Sequence, residues 1–261
     1  MSAPRGLGVY LQRGGLARRT ARRLRLAGVR HVALCAEAVS GWRATGAQLS
    51  SWAADARAEG LTVHVYSFPG SDAVQQPADV AAHLTASSLL VRASTAILDA
   101  EAPYQRRGPA LRATLDACVA GSGGITVAVT TLGAPSDRGT RWPWATLADW
   151  SRTHDAGWLG WQCYERAASS RARVGIAEHA RTWGRARVLP HVALYERRTE
   201  TVEGQDGGAR LEADLRRVCL DERGEVDVPG VWLWSVTSLD DDEVTVLRRW
   251  SERWPDATTE R

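Results

Sequence analysis

The stretch that decides the fold is STAILDAEAPY, Ser94 to Tyr104. An apolar run ends abruptly in Asp99 and Glu101, and Pro103 follows. Residues two apart on a strand share a face, so both carboxylates point the same way with Ile97 beneath them. Burying a carboxylate without a partner is costly, and two neighbouring carboxylates repel. One of the two therefore holds a proton near neutral pH. An un-ionised carboxylic acid beside an ionised one is the equipment that cleaves a glycosidic bond. The competing readings are a cap for the next helix, or an ion pair to Arg106 or Arg107.

Around this stretch one alternation repeats along the chain. Apolar runs at GLGVYLQ (6–12), VRHVALCAE (29–37), LTVHVYSFPG (61–70) and STAILDAEAP (94–103) predict four strands. ITVAVTTLG (125–133), GWLGWQCYE (157–165), RVLPHVALYER (187–197) and VPGVWLWSV (228–236) predict four more. Between them lie stretches of helical spacing: 16–28, 47–60, 77–91, 108–121, 144–154, 170–184 and 210–222, with 240–254 closing the chain. The first two end at Gly28 and Gly60, as helices commonly do. Eight strands alternating with eight helices predict a single α/β domain, a (β/α)8 TIM barrel over residues 1–261, with a frayed tail at 255–261. An open doubly wound sheet would share the alternation, but no GxGxxG or GxxxxGKS phosphate loop occurs.

Composition narrows the function. The chain has 261 residues, 44% apolar and 24% charged, with a formal charge of +3, values of an ordinary globular protein. All 33 basic residues are Arg, and Asn is absent, a bias of GC-rich coding more than of a basic surface. The densest basic run, RRTARRLR (18–25), falls on a helix and reads as a solvated face. No nucleic-acid partner is therefore expected. Cys35, Cys118, Cys163 and Cys219 are far apart with no CxxC spacing, which predicts buried free thiols and no metal site. His64 and His191 lie among apolar strand neighbours without HxxxH spacing, and read as hydrogen-bonded structural residues. No cofactor motif is present. The N-terminus MSAPRGLGVY lacks the apolar core of a signal peptide, and no apolar run of 18 residues occurs. These features predict a soluble protein, cytoplasmic as synthesised, with no membrane span.

In a barrel of this kind the active site lies where the C-terminal ends of the strands converge. Besides Asp99 and Glu101, those ends carry Tyr10 and Gln12 on strand one, Glu37 on strand two and Ser67 on strand three. Gln162 and Tyr164 share a face of strand six, Tyr195 shares one with His191 on strand seven, and Trp232 and Trp234 share one on strand eight. Glu37 reads more readily as a surface loop carboxylate than as a third acid of the rim. Trp250 and Trp254 read as core, and RWPWATLADW (141–150) as either a cover for the barrel or a sugar-stacking wall.

The order SFPG after strand three, DAE ending strand four, QCYE ending strand six and GVWLWSVTSLDD at strand eight resembles glycoside hydrolase family 18, the chitinase-type barrels. The DxE pair also resembles family 25, the lysozyme-like barrels that cut peptidoglycan. The first resemblance implies Glu101 as general acid and Asp99 as the carboxylate that orients an N-acetyl group. It implies Tyr164 as the phenol bonding that group and Trp234 as the floor under a distorted sugar. Substrate binding then falls to Trp234, Gln162, Tyr10, Glu37, Ser67, Trp232 and Tyr195. The implied reaction is hydrolysis of a GlcNAc-containing polysaccharide of the peptidoglycan or chitin type, assisted by the substrate's own acetamido oxygen. The sequence also departs from the DxxDxDxE pattern, with Ser94 and Ile97 where its first two Asp stand, and with Pro69 in the SFPG turn. A barrel that binds glycan or a protein partner without turnover, in a secretion, phage or cell-surface assembly, would carry these departures too.

Overall fold

The computed structural model describes residues 2–12, 15–132, 142–154, 157–163, 172–193, 207–234 and 239–254. Eight strands close into one barrel in sequence order: β1 (Gly6–Leu11), β2 (Val29–Glu37), β3 (Thr62–Ser67), β4 (Thr95–Ala100), β5 (Thr126–Leu132), β6 (Leu159–Gln162), β7 (Val188–Ala193) and β8 (Gly230–Trp234). Every neighbouring pair is parallel, including the closing pair of β1 with β8. The described helices are α1 (Arg18–Leu26), α2 (Gly46–Ala58), α3 (Pro77–Leu90), α4 (Gly108–Gly121), α5 (Trp144–Thr153), α6 (Ala172–Trp183), α7 (Gly207–Cys219) and α8 (Asp241–Ser251). This is the (β/α)8 barrel that the alternation predicts. None of the described helices is long and apolar enough to cross a membrane.

Local chemistry sets the helix ends. Thr45 and Asp240 each accept a bond from the backbone three residues on, and Gln48 and Glu243 return it, forming reciprocal caps on α2 and α8. The helix α7 begins at Gly207, three residues before the apolar spacing starts, so Gly207, Gly208 and Ala209 are helical.

Side-chain alternation sorts the strands into two cores. Leu7, Val9, Val32, Leu34, Val63, Val65, Leu98, Val129, Val192 and Leu233 face the helices and join the apolar sides of α1 to α8. Tyr10, Ala33, Cys35, Tyr66, Ile97, Ala128, Trp158, Leu189, Trp232 and Trp234 fill the barrel. Two glycines make this second core possible: a Cβ on Gly8 would overlap the Trp232 indole, and one on Gly160 would overlap the His191 ring. Trp250 and Trp254 are buried in the outer core, as their spacing predicts. The four cysteines are buried and none forms a disulfide, and burial holds the Cys118 thiol up at about 12. Trp142 is buried and Trp144 half-buried, the latter against the His179 ring of α6, so this pair covers the helical layer.

Candidate functional site

The inner faces of β4, β5 and β6 bring three polar side chains together. Asp99 is fully buried, and its Oδ1 accepts from Thr130 Oγ1 at 2.6 Å and from Gln162 Nε2 at 2.9 Å. Register puts Thr130 beside Asp99 on the adjacent strand. Helix capping and an arginine ion pair are thereby excluded as the role of Asp99; Arg107 instead donates to the Ser71 carbonyl. Burial pushes the Asp99 carboxyl well above its ordinary range, and the nearby charge of Glu101 pushes it further. The bonds from Thr130 and Gln162 oppose this and do not prevail.

Glu101 follows the last residue of β4 with extended backbone, φ −108° and ψ −150°, and opens a short 3-10 turn at Ala102–Tyr104. It is half-buried where Asp99 is inaccessible. Of the two acids, Glu101 is thus the one that solvent reaches. Ile97 packs in the inner core one alternation below Asp99.

Aromatic rings line the same space. The Trp234 ring lies 4.8 Å from that of Tyr10 and 5.4 Å from that of Tyr66, the latter edge-on. Tyr66 donates its hydroxyl to the Leu11 carbonyl at 3.1 Å. Burial holds both phenols up, and the Asp99 charge adds to this in each. The Tyr10 hydroxyl, Asp99 Oδ2 and Gln162 Oε1 have no hydrogen-bond partner among the described residues. All three atoms are closed to solvent.

Several expected site residues sit elsewhere. Trp232 is not at the rim: it lies deeper, against Tyr10, His64 and Trp158 at 5.0–5.3 Å and stacked on His31 and His191 at 5.9 and 6.2 Å. It stands two positions before Trp234 on β8, enough to move a side chain from mouth to core. Ser67 shares the helix-facing side of Val63 and Val65 and donates to Glu37 Oε2 at 2.8 Å. Glu37 is not a surface carboxylate: it is 2% exposed, and its Oε1 accepts from Arg43 Nε and Nη2 at 3.0 and 2.9 Å. The pairing of β2 with β3 shifts register between Cys35 and Glu37, and such an irregularity re-aims a side chain. Tyr164 and Tyr195 lie outside the described residues, as does the 255–261 tail.

The histidines divide. His31 Nε2 bonds the Arg5 carbonyl at 2.9 Å, and its Nδ1 lies 3.2 Å from His64 Nε2. A carbonyl only accepts, so His31 carries its proton on Nε2, and His64 Nε2–H donates to His31 Nδ1. His64 is therefore hydrogen-bonded, as expected. His191 is not: neither ring nitrogen has a partner among the described residues, and burial lowers its pKa to about 3.

Sequence reasoning missed Thr130 and Arg43. Thr130 follows Ala128 by two on an inward face, a parity legible in VAVTT. Arg43 reaches Glu37 across a reversal of the chain that only Ser40-Gly41 marks in the sequence, Gly41 standing at φ +77°. Among the described residues no cluster of His, Cys, Asp or Glu has the arrangement of a metal site.

No family model matches the chain, and no curated protein matches it by sequence. Solved structures do match in fold. A chitinase from Chromobacterium violaceum superposes with a TM-score of 0.68 at 12% identity, covering 95% of this chain and 99% of that one. A GH18 chitinase from Pseudoalteromonas aurantia gives 0.66 at 11%, covering 94% and 99%. The spore cortex-lytic enzyme SleL of Bacillus cereus gives 0.65 at 10%, covering 96% of this chain and 75% of that one. At such identities the likeness is one of fold alone.

Proposed function

We propose that this protein hydrolyses a GlcNAc-containing polysaccharide of the peptidoglycan or chitin type. The observation that carries the reading is the acid pair: a buried Asp99, held by Thr130 and Gln162, beneath a Glu101 that solvent reaches. Coupled carboxyls release their protons as a pair, and the first proton leaves well before the second. The proton retained near neutral pH rests on the buried Asp99 in the free protein; on substrate binding it passes to Glu101, which delivers it to the glycosidic oxygen and leaves Asp99 ionised. The acetamido oxygen of the sugar attacks its own anomeric carbon as that bond breaks, so the chain supplies no nucleophile. Asp99 orients the acetamido N–H and balances the positive charge that grows on the group. Glu101, now ionised, takes a proton from the water that opens the cyclic intermediate. Trp234, backed by the fully buried Tyr10, offers a ring face to the apolar side of the sugar, and Tyr164, matched by motif, supplies a phenol to the acetamido group.

The test is release of reducing ends from chitin and from peptidoglycan. Glu101→Gln should lower the rate by about 10²–10⁴-fold and leave the thermal midpoint within a degree or two. A wild-type protein that releases nothing from either polymer overturns the hydrolase reading.

One observation favours a second reading, a barrel that binds glycan without turnover. Ile97 puts a hydrocarbon where a further carboxylate would share the proton of Asp99. Oligosaccharide binding that survives Glu101→Gln, with no hydrolysis by either form, selects this reading.

A further inference from the structure

Beyond β2 the chain doubles back on itself. Ala38 N–H donates to the Trp42 carbonyl and Ala44 N–H to the Ala36 carbonyl, both at 2.9 Å, and Glu37 bridges Arg43 in antiparallel fashion. This small hairpin leans on the turn after β3, for a Cβ on Gly70 would press against the Val39 carbonyl oxygen. Its Trp42 is half-buried and packs against both cores. Phe68, the first residue after β3, is also half-buried, and its packing is against the inner core of Tyr10, Tyr66 and Trp234.

Glu37 holds these pieces in one place. Its carboxylate takes two donors from Arg43 on the returning arm and one from Ser67 at the end of β3. Its carbonyl takes the Phe68 N–H at 2.9 Å. Glu37 is buried while Arg43 is half-exposed; such an ion pair gains little stability over well-packed apolar groups, but it fixes geometry through directed bonds. Here the geometry fixed is that of two aromatic side chains, each partly open to solvent and each continuous with the aromatic lining of the mouth.

We propose that Trp42 and Phe68 form a second stacking wall for carbohydrate on the β2–β3 side of the barrel, with Glu37 and Arg43 as its positioning residues. The inference rests on the glycan reading above and deepens it: the ligand is a chain of several sugars, and this wall reads a sugar beyond the one over Asp99 and Glu101. Preference for longer chains is the property it confers.

The experiment compares the affinities of a disaccharide and a tetrasaccharide by titration calorimetry, in a chito-oligosaccharide series and in a peptidoglycan glycan series. The wild type should favour the tetrasaccharide. Trp42→Ala and Phe68→Ala should each reduce that preference by up to about tenfold, the worth of one good aromatic contact. Arg43→Ala leaves both rings in the sequence and should erode the preference as well, with Arg43→Lys restoring part of it. If the tetrasaccharide preference survives in both aromatic variants, the wall is refuted while the glycan reading stands. If Arg43→Ala lowers only the melting temperature, the clamp is structural and its positioning role is refuted. If the wild type binds neither series, the glycan reading fails and the wall falls with it.

Discussion

The mouth of the barrel and its base bury polar groups of opposite kind. At the mouth, Asp99 is an acid that burial and Glu101 drive toward its un-ionised form. At the base, His31 and His64 are bases that burial drives toward their un-ionised forms, His31 to about 4. His191, stacked on Trp232, behaves like the base. The partners differ too. Asp99 has two donors that favour its charged form and oppose its burial, so its ionisation is tuned. The pKa of His191 answers to burial alone. At the base His31 also feels an opposing influence, the bond to the Arg5 carbonyl, but burial prevails there as it does at Asp99.

The largest effect that would break this comparison is at the base. Trp232 contacts five aromatic side chains and occupies the space that Gly8 vacates. Trp232→Ala should cost roughly 3–5 kcal/mol of stability, read from the urea midpoint. A loss below about 1 kcal/mol would mean that the indole is not the keystone of the inner core.

Two smaller effects have opposite pH dependence. A histidine whose folded pKa is depressed leaves the unfolded chain holding more protons, so stability falls as pH drops from about 6.5 toward 3. His191→Phe keeps a ring against Trp232 and should flatten that acid-side loss. A carboxyl whose folded pKa is raised does the reverse: the folded state keeps a proton that the unfolded chain has released, so stability falls as pH rises above about 4. Asp99→Asn, which keeps the Oδ1 acceptor, should therefore be more stable than wild type at pH 7, with the gain vanishing near pH 4. Denaturant midpoints at pH 4 and 7 read both variants. Parallel curves for wild type and Asp99→Asn would show that Asp99 is ionised in the fold.

The barrel was legible because periodicity is local. Each strand and helix announced itself within about 15 residues, and the two-residue alternation placed Asp99, Gln162, Tyr10 and Trp234 on inward faces. Depth and register were less legible. Trp232 and Trp234 have the same parity, and only barrel closure, with Gly8 opposite Trp232, decides which one is core. Glu37 shares the parity of Ala33 and Cys35, yet the irregular pairing of β2 with β3 carries it to Ser67. Ser40-Gly41 marks the turn of the hairpin, with Gly41 at φ +77°, but that the returning arm brings Arg43 onto Glu37 is a tertiary event. Fold follows from composition repeated many times over; a site depends on single residues, and one shifted register moves them.

The smallest predicted effect tests whether the Asp99 carboxyl is truly tuned. Thr130 Oγ1 donates to Asp99 Oδ1 at 2.6 Å, a bond that favours the ionised form. Thr130→Val keeps the shape and removes the donor, at a cost of about 1 kcal/mol. Without it the Asp99 pKa moves further up, so the alkaline limb of activity should shift to higher pH. Combining Thr130→Val with Asp99→Asn separates the two contributions. A charge-assisted bond is stronger than a neutral one, so the coupling between the two substitutions should grow as pH rises and Asp99 ionises. Additivity within about 0.3 kcal/mol at every pH would mean that Thr130 only fills space. The Asp99 carboxyl would then answer to burial, Glu101 and Gln162, with nothing from Thr130.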